Sequence, residues 1–324
     1  MIIYDDIINS LQSSGGISVY FDQIYKRLNS KEYVFIEERW PKTIRRYIDC
    51  KIPRPLNISS NVFHSSYYRL PLNKRIPIVT TVHDFTYEKY KYGPAKWLHC
   101  WQKYRAIRNS DIVICVSKNT ANDLKQYCSV PDSKIRIIYN GVSESYYPIE
   151  DSSYKKNEVL FVGARGGYKN FDKAVQTLSQ MPELTLTIIG GGELSNTERK
   201  FLDENIPGRY VALGRVSEEE LNLLYNRAYA LLYPSSYEGF GIPIIEAMKA
   251  GCPVVAVRCS SIPEVAGDAA ILTDNAEANA FVDALRLIKQ DRNEIVVAGI
   301  IQAKKFSWDK CFQETLSVYK ELQQ

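Results

Sequence analysis

The sequence predicts an α/β protein built from two doubly wound, Rossmann-like domains. Short apolar runs alternate with amphipathic segments along the whole chain, which is the pattern of βαβ units in parallel sheets. A chain of 324 residues is also longer than one hydrophobic core usually serves, so it suits two domains. Residues 1–150 hold 22 Lys and Arg against 14 Asp and Glu, whereas residues 151–324 hold 19 against 23. The two predicted domains therefore differ in the sign of their net charge.

Six apolar runs in the first half predict the strands of the first domain. A helix is predicted after the Gly15-Gly16 turn, and another over residues 94–108. The predicted strands are 2–4, 33–36, 62–65, 76–83, 111–117 and 134–139.

Six further runs predict the sheet of the second domain, with strands at 159–163, 184–190, 210–213, 228–233, 252–257 and 270–272. Ser217 and Glu220 have the spacing of a capping box, which predicts a helix from there to about Arg227. Polar and turn residues dominate 140–157, so we place the boundary there and expect domains of 1–145 and 146–306. The segment 307–324 has helical periodicity, and we expect it to pack back on the first domain.

Composition excludes several classes of protein. No window approaches the roughly 20 apolar residues that span a bilayer, and the N-terminus lacks the order of a signal peptide. The seven cysteines are scattered without a Cys-x-x-Cys pair, which argues against a disulfide framework or structural zinc. No nucleic-acid recognition module is visible. These features predict a cytoplasmic protein that does not bind nucleic acid.

The stretch from Glu238 to Glu246 is the most informative motif. It follows an apolar run and enters a helix that Pro243 can begin, so it lies at the carboxyl end of a predicted strand, where α/β proteins bind ligands. Gly239, Phe240 and Gly241 form the loop; the two glycines allow close approach, and the N–H groups of the helix start attract phosphate. The flanking carboxylates can accept hydrogen bonds from sugar hydroxyls. The stretch therefore predicts a nucleotide-sugar site, although such loops also occur as plain turns.

Arg165 and Lys169 follow the first predicted strand of the second domain, in Gly-Ala-Arg-Gly-Gly-Tyr-Lys-Asn. Two cations at a strand's carboxyl end suit the negative charge that develops on a departing diphosphate. A solvated basic loop is the alternative interpretation.

The chain has three histidines. His83 closes a strand in Thr-Thr-Val-His-Asp and is the best placed for a catalytic role, although a hydrogen-bonded structural histidine is the commoner case. His64 also ends a strand and is its rival. His99 lies inside an amphipathic helix, where we expect a structural role.

These motifs together resemble retaining glycosyltransferases of the GT-B fold, family 4. The resemblance rests on the two glutamates, the Lys169-Asn170 pair and Ile138-Tyr-Asn-Gly-Val142, and it covers nearly the whole chain. It implies two domains facing each other across a cleft. The motifs Ser-Gly-Gly-Ile-Ser-Val-Tyr and Gly-Tyr-Lys-Asn-Phe look like the subgroup that builds bacterial surface polysaccharides such as O-antigen, many of whose members are mannosyltransferases.

The resemblance also implies roles for particular residues. Arg165 and Lys169 would hold the donor diphosphate, Glu238 the sugar and Glu246 the ribose, while His83 would face the donor sugar. Gly15 and Gly16 would cover the diphosphate or the acceptor. Val216 and Ser217 stand where backbone atoms of the family meet the nucleobase.

A hexosyltransferase that retains configuration and needs no metal or cofactor is therefore expected. No Asp-x-Asp occurs in the chain, and fixed cations would take the place of a metal. The partners would be a nucleotide-sugar, with GDP-mannose favoured, and a saccharide that is free or lipid-linked. The alternatives are a UDP-sugar or rhamnosyl donor, a nucleotide-sugar epimerase or a phosphorylase of the same fold, and a protein that only binds nucleotide-sugar.

Basic residues of the first domain are interleaved with aromatic ones over 39–54 and 88–105. Such a face is typical of peripheral docking on an anionic membrane, and equally of a solvated surface. The sequence leaves both open.

Overall fold

In the part of the chain that the structure describes, the strands form two parallel sheets of six strands each. The computed structural model describes residues 1–5, 7–12, 15–36, 45–53, 56, 58–73, 75–149 and 157–324. One compact unit comprises Met1–Gly141 with Trp308–Gln324, and the other comprises Val142–Ser307. The observed division falls between residues 141 and 142, and residues 150–156 of the predicted boundary region lie outside the described residues.

The sheet of the first unit has the strand order β2-β1-β3-β4-β5-β6. The order reverses between β1 and β3, where Ile3 pairs with Phe63, and such a switch point opens a crevice at the carboxyl ends of the strands. The strands are β1 (Ile2–Tyr4), β2 (Tyr33–Phe35), β3 (Val62–Ser65), β4 (Ile78–Val82), β5 (Ile112–Cys115) and β6 (Ile135–Ile137).

Helices of the first unit cover both faces of its sheet. The last helix of the chain buries Trp308, Cys311 and Tyr319 against Tyr4 and Tyr20, so the C-terminal segment contributes to the core of the first unit. The helices are α1 (Ile7–Leu11), α2 (Gly16–Tyr25), α3 (Thr86–Tyr90), α4 (Pro94–Asn109), α5 (Lys118–Tyr127) and, from the C-terminal segment, α12 (Trp308–Leu322).

The second unit has the strand order β12-β11-β10-β7-β8-β9. This order also reverses once, between β10 and β7, where Leu231 pairs with Leu160. The strands are β7 (Glu158–Val162), β8 (Thr185–Ile189), β9 (Tyr210–Gly214), β10 (Ala230–Tyr233), β11 (Val254–Val257) and β12 (Ile271–Thr273).

The second unit's core lies between this sheet and its helices, with Phe161, Leu186 and Phe281 buried in it. Ser217 and Glu220 form the predicted capping box, each side chain bonding the other's backbone N–H. The helices are α6 (Phe171–Ser179), α7 (Asn196–Asn205), α8 (Glu218–Arg227), α9 (Ile242–Lys249), α10 (Ile262–Ala266) and α11 (Ala278–Ala303).

All twelve predicted strands are confirmed, with their ends within two residues of the predicted ones. Several predicted strands were too long because buried apolar residues such as Ile76 and Cys252 precede the first residue of the strand. Among the described residues, no helix combines the length and the hydropathy that crossing a membrane requires.

Candidate active site

The carboxyl ends of β7 and β10 bring together two of the predicted site residues. Lys169, in the turn after β7, places its Nζ 2.5 Å from Oε1 of Glu238, in the loop after β10. Both side chains are largely buried, at 14% and 12% exposed. The pair lies at the switch point of the second sheet, which is the usual ligand position in such sheets.

Asn170 holds the Lys169 turn in place. Its backbone is left-handed, with φ 51°, and its Nδ2 donates to Pro234 O and to Ser236 Oγ, both at 2.7 Å. Ser236 N in turn donates to Tyr168 O at 2.8 Å. These bonds join the loop after β7 to the loop after β10, so Lys169 has little freedom to leave Glu238's neighbourhood.

Glu238 is fixed from the other side by the loop after β11. Its backbone N–H donates to Ser260 Oγ at 2.9 Å, and Ser261 Oγ donates to Glu238 O at 3.0 Å. The hydroxyl of Tyr233 also hydrogen-bonds Glu238; burial, together with this carboxylate, raises the pKa of Tyr233 well above its ordinary value. The carboxylate is therefore positioned before any ligand arrives.

Helix α9 begins directly after this loop, with Gly241 as its N-cap at φ 98°. A side chain there would be strained, and its Cβ would come 3.3 Å from Ile244 Cδ1, which explains the glycine. Gly239 and Phe240 are buried, and the Phe240 ring packs edge-on against Phe306 with centroids 5.7 Å apart. In the first turn of α9, Pro243 has no N–H and Ile244 donates its N–H to Gly241 O at 3.0 Å, so a rigid loop presents the positive end of this helix without a row of free donors.

Glu246 lies in the second turn of α9, half-buried next to two tyrosines. Tyr225 donates its hydroxyl to Glu246 Oε2 at 3.3 Å, and the Tyr146 hydroxyl also hydrogen-bonds the carboxylate. Desolvation raises the pKa of Glu246 to about 7, although both hydroxyls oppose the shift. This carboxyl changes charge near neutral pH.

Arg165 uses all five N–H donors of its guanidinium on protein acceptors. Nε and one NH2 proton bond the Glu198 carboxylate at 2.7 and 3.5 Å, and the others bond the carbonyls of Gly190, Gly192 and Glu193. The side chain is 4% exposed, and its hydrogen bond lowers the pKa of Glu198 to about 2. Arg165 therefore fastens the triple-glycine loop after β8, and its contact with donor phosphates stays a prediction.

Gly191 in that loop lies directly against Arg165. A Cβ at this position would come within 2.6 Å of the Arg165 NH1 atom, and the backbone φ is 72°. Val216 and Ser217 follow β9 on the same edge of the sheet, half-buried and exposed respectively. Their backbone atoms thus stand at the same sheet edge as the Gly190–Gly192 loop, and their nucleobase contact stays a prediction.

In the first unit, His83 follows β4 and packs edge-on against Tyr20 of α2, with ring centroids 5.1 Å apart. Gly15 is the N-cap of α2 and Gly16 its first residue, so this helix links the Gly-rich turn to His83. Burial lowers the pKa of His83 to about 4, so the ring is neutral at pH 7. Among the described residues its Nε2 is buried without a hydrogen-bond partner, which leaves it available to a ligand.

His64 differs from His83 in having both ring nitrogens engaged. Nδ1 lies 2.6 Å from the Tyr319 hydroxyl and Nε2 2.9 Å from Thr81 Oγ1. The Tyr319 hydroxyl also lies 2.9 Å from that of Tyr4. His64 is therefore a core residue that ties α12 to the first sheet, and it is the weaker candidate for contact with substrate.

His99 stacks on Tyr87 with centroids 3.9 Å apart, and its Nδ1 lies 3.2 Å from the Tyr67 hydroxyl. These contacts agree with the structural role expected for it. Among the described residues, no group of three or more His, Cys, Asp or Glu side chains is arranged to hold a metal ion.

The family model for group 1 glycosyl transferases matches residues 144–305, half of the chain and nearly all of the second unit. This chain is a group 1 glycosyltransferase. A second model, Glycosyltransferase Family 4, matches residues 40–146 of the enzyme, so the two models together match residues 40–305.

Curated relatives of this glycosyltransferase include two that act on O-antigen. It is 28% identical to the O-antigen chain mannosyltransferase B of Escherichia coli over 81% of this chain and 74% of that protein. It is 29% identical to the O-antigen chain mannosyltransferase RfbU of Salmonella typhimurium over 57% of this chain, spanning 53% of the relative's length.

Solved structures confirm the GT-B fold. Sucrose-phosphate synthase from Thermosynechococcus elongatus superposes with a TM-score of 0.78 at 19% identity, covering 99% of this glycosyltransferase and 98% of that chain. Anabaena HepE in complex with UDP and glucose gives 0.72 at 16% identity, with 98% and 99% covered. At these identities the likeness shows the fold alone.

Three residues that position the site were not singled out from the sequence: Glu198, Ser260 and Ser261. The serines lie in the loop after β11, the neighbour of β10, and this position next to the Glu238 loop is the signal that could have found them. Glu198 offered no such signal, because its partner Arg165 is 33 residues away.

Proposed function

We propose that this glycosyltransferase moves mannose from GDP-mannose to a lipid-linked saccharide with retention of configuration. The transfer takes place at the inner face of a bacterial membrane. It serves the synthesis of a surface polysaccharide such as O-antigen, capsule or exopolysaccharide. The observation that carries the proposal is the pre-positioned Lys169–Glu238 pair at the switch point of the second sheet. The two O-antigen mannosyltransferases among its relatives support mannose as the sugar and a surface polysaccharide as the product.

Lys169 is the group that we assign to the leaving diphosphate. An ammonium has three donors, and Glu238 needs one of them, so phosphate oxygens can take the others. As the glycosidic bond breaks, negative charge accumulates on the diphosphate, and a cation already in place stabilises that charge without reorganising. The positive end of the α9 dipole acts in the same way, and no metal is required.

Glu238 is assigned to the sugar and Glu246 to the ribose. The 2.5 Å contact with Lys169 and the Tyr233 hydroxyl keep the Glu238 carboxylate oriented, so it can accept hydrogen bonds from sugar hydroxyls. Arg165 supports the same edge by holding the Gly190–Gly192 loop, and a direct contact with phosphate would require it to release part of its present bonding.

His83 is assigned to hydrogen-bond the transferred sugar through its buried Nε2, as a neutral group and not as a nucleophile. The acceptor hydroxyl attacks the anomeric carbon on the face from which the diphosphate departs. Its C–O bond forms as the sugar–phosphate bond breaks, and the hydroxyl proton passes to the leaving phosphate oxygen. The nucleoside diphosphate thereby leaves protonated, and the anomeric configuration is kept.

A UDP-sugar is the second candidate for the donor. It is favoured by the Anabaena structure of the same fold, which was solved with UDP and glucose. The nucleobase is assigned to backbone atoms of Val216 and Ser217, and contacts made by backbone atoms do not reveal from the side chains whether guanine or uracil is bound.

A screen of GDP- and UDP-sugars by thermal unfolding tests the donor. A nucleotide-sugar at 100 times its Kd stabilises the folded state by about 2.7 kcal/mol, so the true donor raises the melting temperature and others do not. Glu246→Gln, which removes the charge assigned to the ribose, should reduce that shift, while Glu219→Gln, in the exposed first turn of α8, should not. If only UDP-sugars raise the melting temperature, the donor is a UDP-sugar and not GDP-mannose.

Turnover assays then distinguish glycosyl transfer from the reactions of epimerases and phosphorylases that have the same fold. With the stabilising donor and an extracted lipid-linked saccharide, we expect a product one hexose longer, with its anomeric configuration unchanged. Conversion of the donor sugar in the absence of acceptor would identify an epimerase. A phosphorylase would consume inorganic phosphate, and a binding protein would give no product with any acceptor.

A further inference from the structure

Helix α4 carries large aromatic side chains that face solvent. Trp97 is 74% exposed and Trp101 58%, and Tyr92, just before the helix, is 87% exposed. Residues four apart lie about 40° apart around a helix, so the two tryptophans share one face, and Leu98 borders it. Exposing two tryptophans on one face is costly in water and needs a reason.

The same segment is exclusively basic. Residues 89–110 contain six Lys and Arg and no Asp or Glu. Three of these cations are neutralised by carboxylates from elsewhere in the first unit: Lys89 by Asp123, Lys103 by Glu88 and Arg105 by Asp49.

Three cations remain around the aromatic side chains. Lys91 and Arg108 are exposed, and Arg108 lies on the same side of α4 as the tryptophans. Lys96 is half-buried, donates to the Glu88 carbonyl and lies 5.7 Å from the centroid of the Tyr92 ring. We call this surface the Trp97 face; it comprises Lys91, Tyr92, Lys96, Trp97, Leu98, Trp101 and Arg108.

We infer that the Trp97 face docks on an anionic lipid bilayer, with Trp97, Leu98 and Trp101 entering the headgroup region and the three cations meeting lipid phosphates. Tryptophan and tyrosine rings combine an apolar body with a polar N–H or O–H, which suits the boundary between headgroups and acyl chains. Cations beside them add attraction to an anionic leaflet.

A second copy of the chain fits this surface less well. A twofold contact would place each Trp97 face against its own equivalent, so Lys91, Lys96 and Arg108 of the two copies would oppose one another. An anionic bilayer neutralises those cations and covers the aromatic rings at the same time. The inference extends the proposed lipid-linked acceptor, because docking would bring the enzyme to that acceptor, but it does not depend on which sugar is transferred.

Vesicle binding by the full-length protein tests the inference without any sugar substrate. We expect sedimentation with vesicles of phosphatidylcholine and phosphatidylglycerol at about 0.1 M salt and much less at about 1 M, where the Debye length falls to about 3 Å. Vesicles of phosphatidylcholine alone should bind at least about tenfold more weakly. Vesicles with brominated acyl chains should quench tryptophan fluorescence on binding.

Matched variants locate the surface. Trp97→Ser with Trp101→Ser should weaken binding about tenfold or more, while Val297→Ser with Ile301→Ser, an equally spaced exposed apolar pair on α11, should not. Lys91→Glu with Arg108→Glu should weaken it by at least about fivefold per charge, unlike Arg286→Glu with Lys289→Glu. Trp97→Phe with Trp101→Phe should keep binding and lose most of the quenching.

Equal and negligible binding to anionic and neutral vesicles would overturn the inference. So would unchanged binding of the Trp97→Ser, Trp101→Ser variant. A fall in molar mass for that variant without vesicles would instead identify the Trp97 face as an interface between copies. The proposed transfer is judged separately, with donor and a soluble, delipidated acceptor, so either proposal can fail while the other stands.

Discussion

Lys169 and Glu238 are 69 residues apart in the chain, yet Lys169 Nζ and Glu238 Oε1 lie 2.5 Å apart. The contact exists because β7 and β10 are neighbours in the second sheet although β8 and β9 intervene in sequence. A cation and an anion held together at a sheet's switch point can separate their roles when ligand binds, the cation going to phosphate and the anion to sugar hydroxyls. Two of the following predictions test that division.

Glu238→Gln should fold normally and lose most of its transfer activity. The backbone bonds to Ser260 and Ser261 remain, so the loop keeps its place, while the charged acceptor for sugar hydroxyls is lost. A hydrogen bond to a charged group is worth about 1.5–3 kcal/mol, which corresponds to about a tenfold to hundredfold fall in kcat/KM. Glu277→Gln, an exposed carboxylate of the same unit, is the control. Unaltered turnover at saturating donor would remove Glu238 from the mechanism.

Lys169→Ala should lower kcat by about 10²–10³-fold and change KM for the donor much less. A pre-positioned cation acts mainly on the charge that develops as the glycosidic bond breaks. Steady-state kinetics against Lys173→Ala, which removes a half-buried cation four residues away that pairs with Glu277, isolates the effect. If KM alone rises, Lys169 binds the ground state and the assigned role is wrong.

Nucleotide binding should weaken as pH falls through about 7. The pKa of Glu246 is raised by burial from 4.5 to about 7, so the carboxylate that is assigned to the ribose becomes protonated there. His64, His83 and His99, the three histidines of the chain, have pKa values lowered by burial to about 3, 4 and 4, so none changes charge near neutrality. Isothermal titration of nucleoside diphosphate between pH 6 and 8 measures the dependence.

The same pKa fixes the sign of a stability effect. The folded carboxyl binds its proton more tightly than the unfolded one, so its contribution to folding is most favourable below pH 4.5 and is lost as pH rises to about 7. Glu246→Gln should remove both the binding step and this slope, whereas Glu219→Gln on α8 should keep them. A pH step that persists in Glu246→Gln would belong to another group.

Tyr319→Phe should destabilise the first unit by about 1–3 kcal/mol. The change removes the hydroxyl that bonds His64 Nδ1 at 2.6 Å and Tyr4 at 2.9 Å, and it leaves both buried groups without that partner. Urea unfolding followed by circular dichroism measures the loss. Tyr210→Phe, whose hydroxyl bonds Asp203 at the surface, should cost far less. Equal effects of the two variants would show that the Tyr319 network adds no stability of its own.

Activity should survive an excess of EDTA. Lys169 and the positive end of α9 are the groups assigned to the charge on the diphosphate, which is the part a metal plays in other transferases. Turnover is compared before and after chelation and again after addition of Mg²⁺ or Mn²⁺. Complete loss with EDTA that either metal restores would contradict metal independence.

Local patterns in the sequence predicted the elements of the fold because they depend on neighbours in the chain. Alternation of apolar runs with amphipathic segments located all twelve strands. The spacing of Ser217 and Glu220 predicted a capping box that the structure contains. Some strands were predicted too long because apolar residues outside the hydrogen-bonded part of the strand also pack in the core.

The partners of individual side chains were decided only by tertiary structure. Arg165 and Lys169 look equivalent in sequence, four residues apart in one basic loop. In the folded protein, Arg165 donates hydrogen bonds to carbonyl groups of the loop after β8 and to the Glu198 carboxylate, while Lys169 donates to Glu238. Likewise, His64 and His83 both end strands, yet only His64 has both ring nitrogens hydrogen-bonded, one of them through a helix that begins more than 240 residues later. The order of strands in a sheet sets which loops are neighbours, and that order arises from packing between distant segments, whereas the strands themselves follow from local hydrophobic pattern.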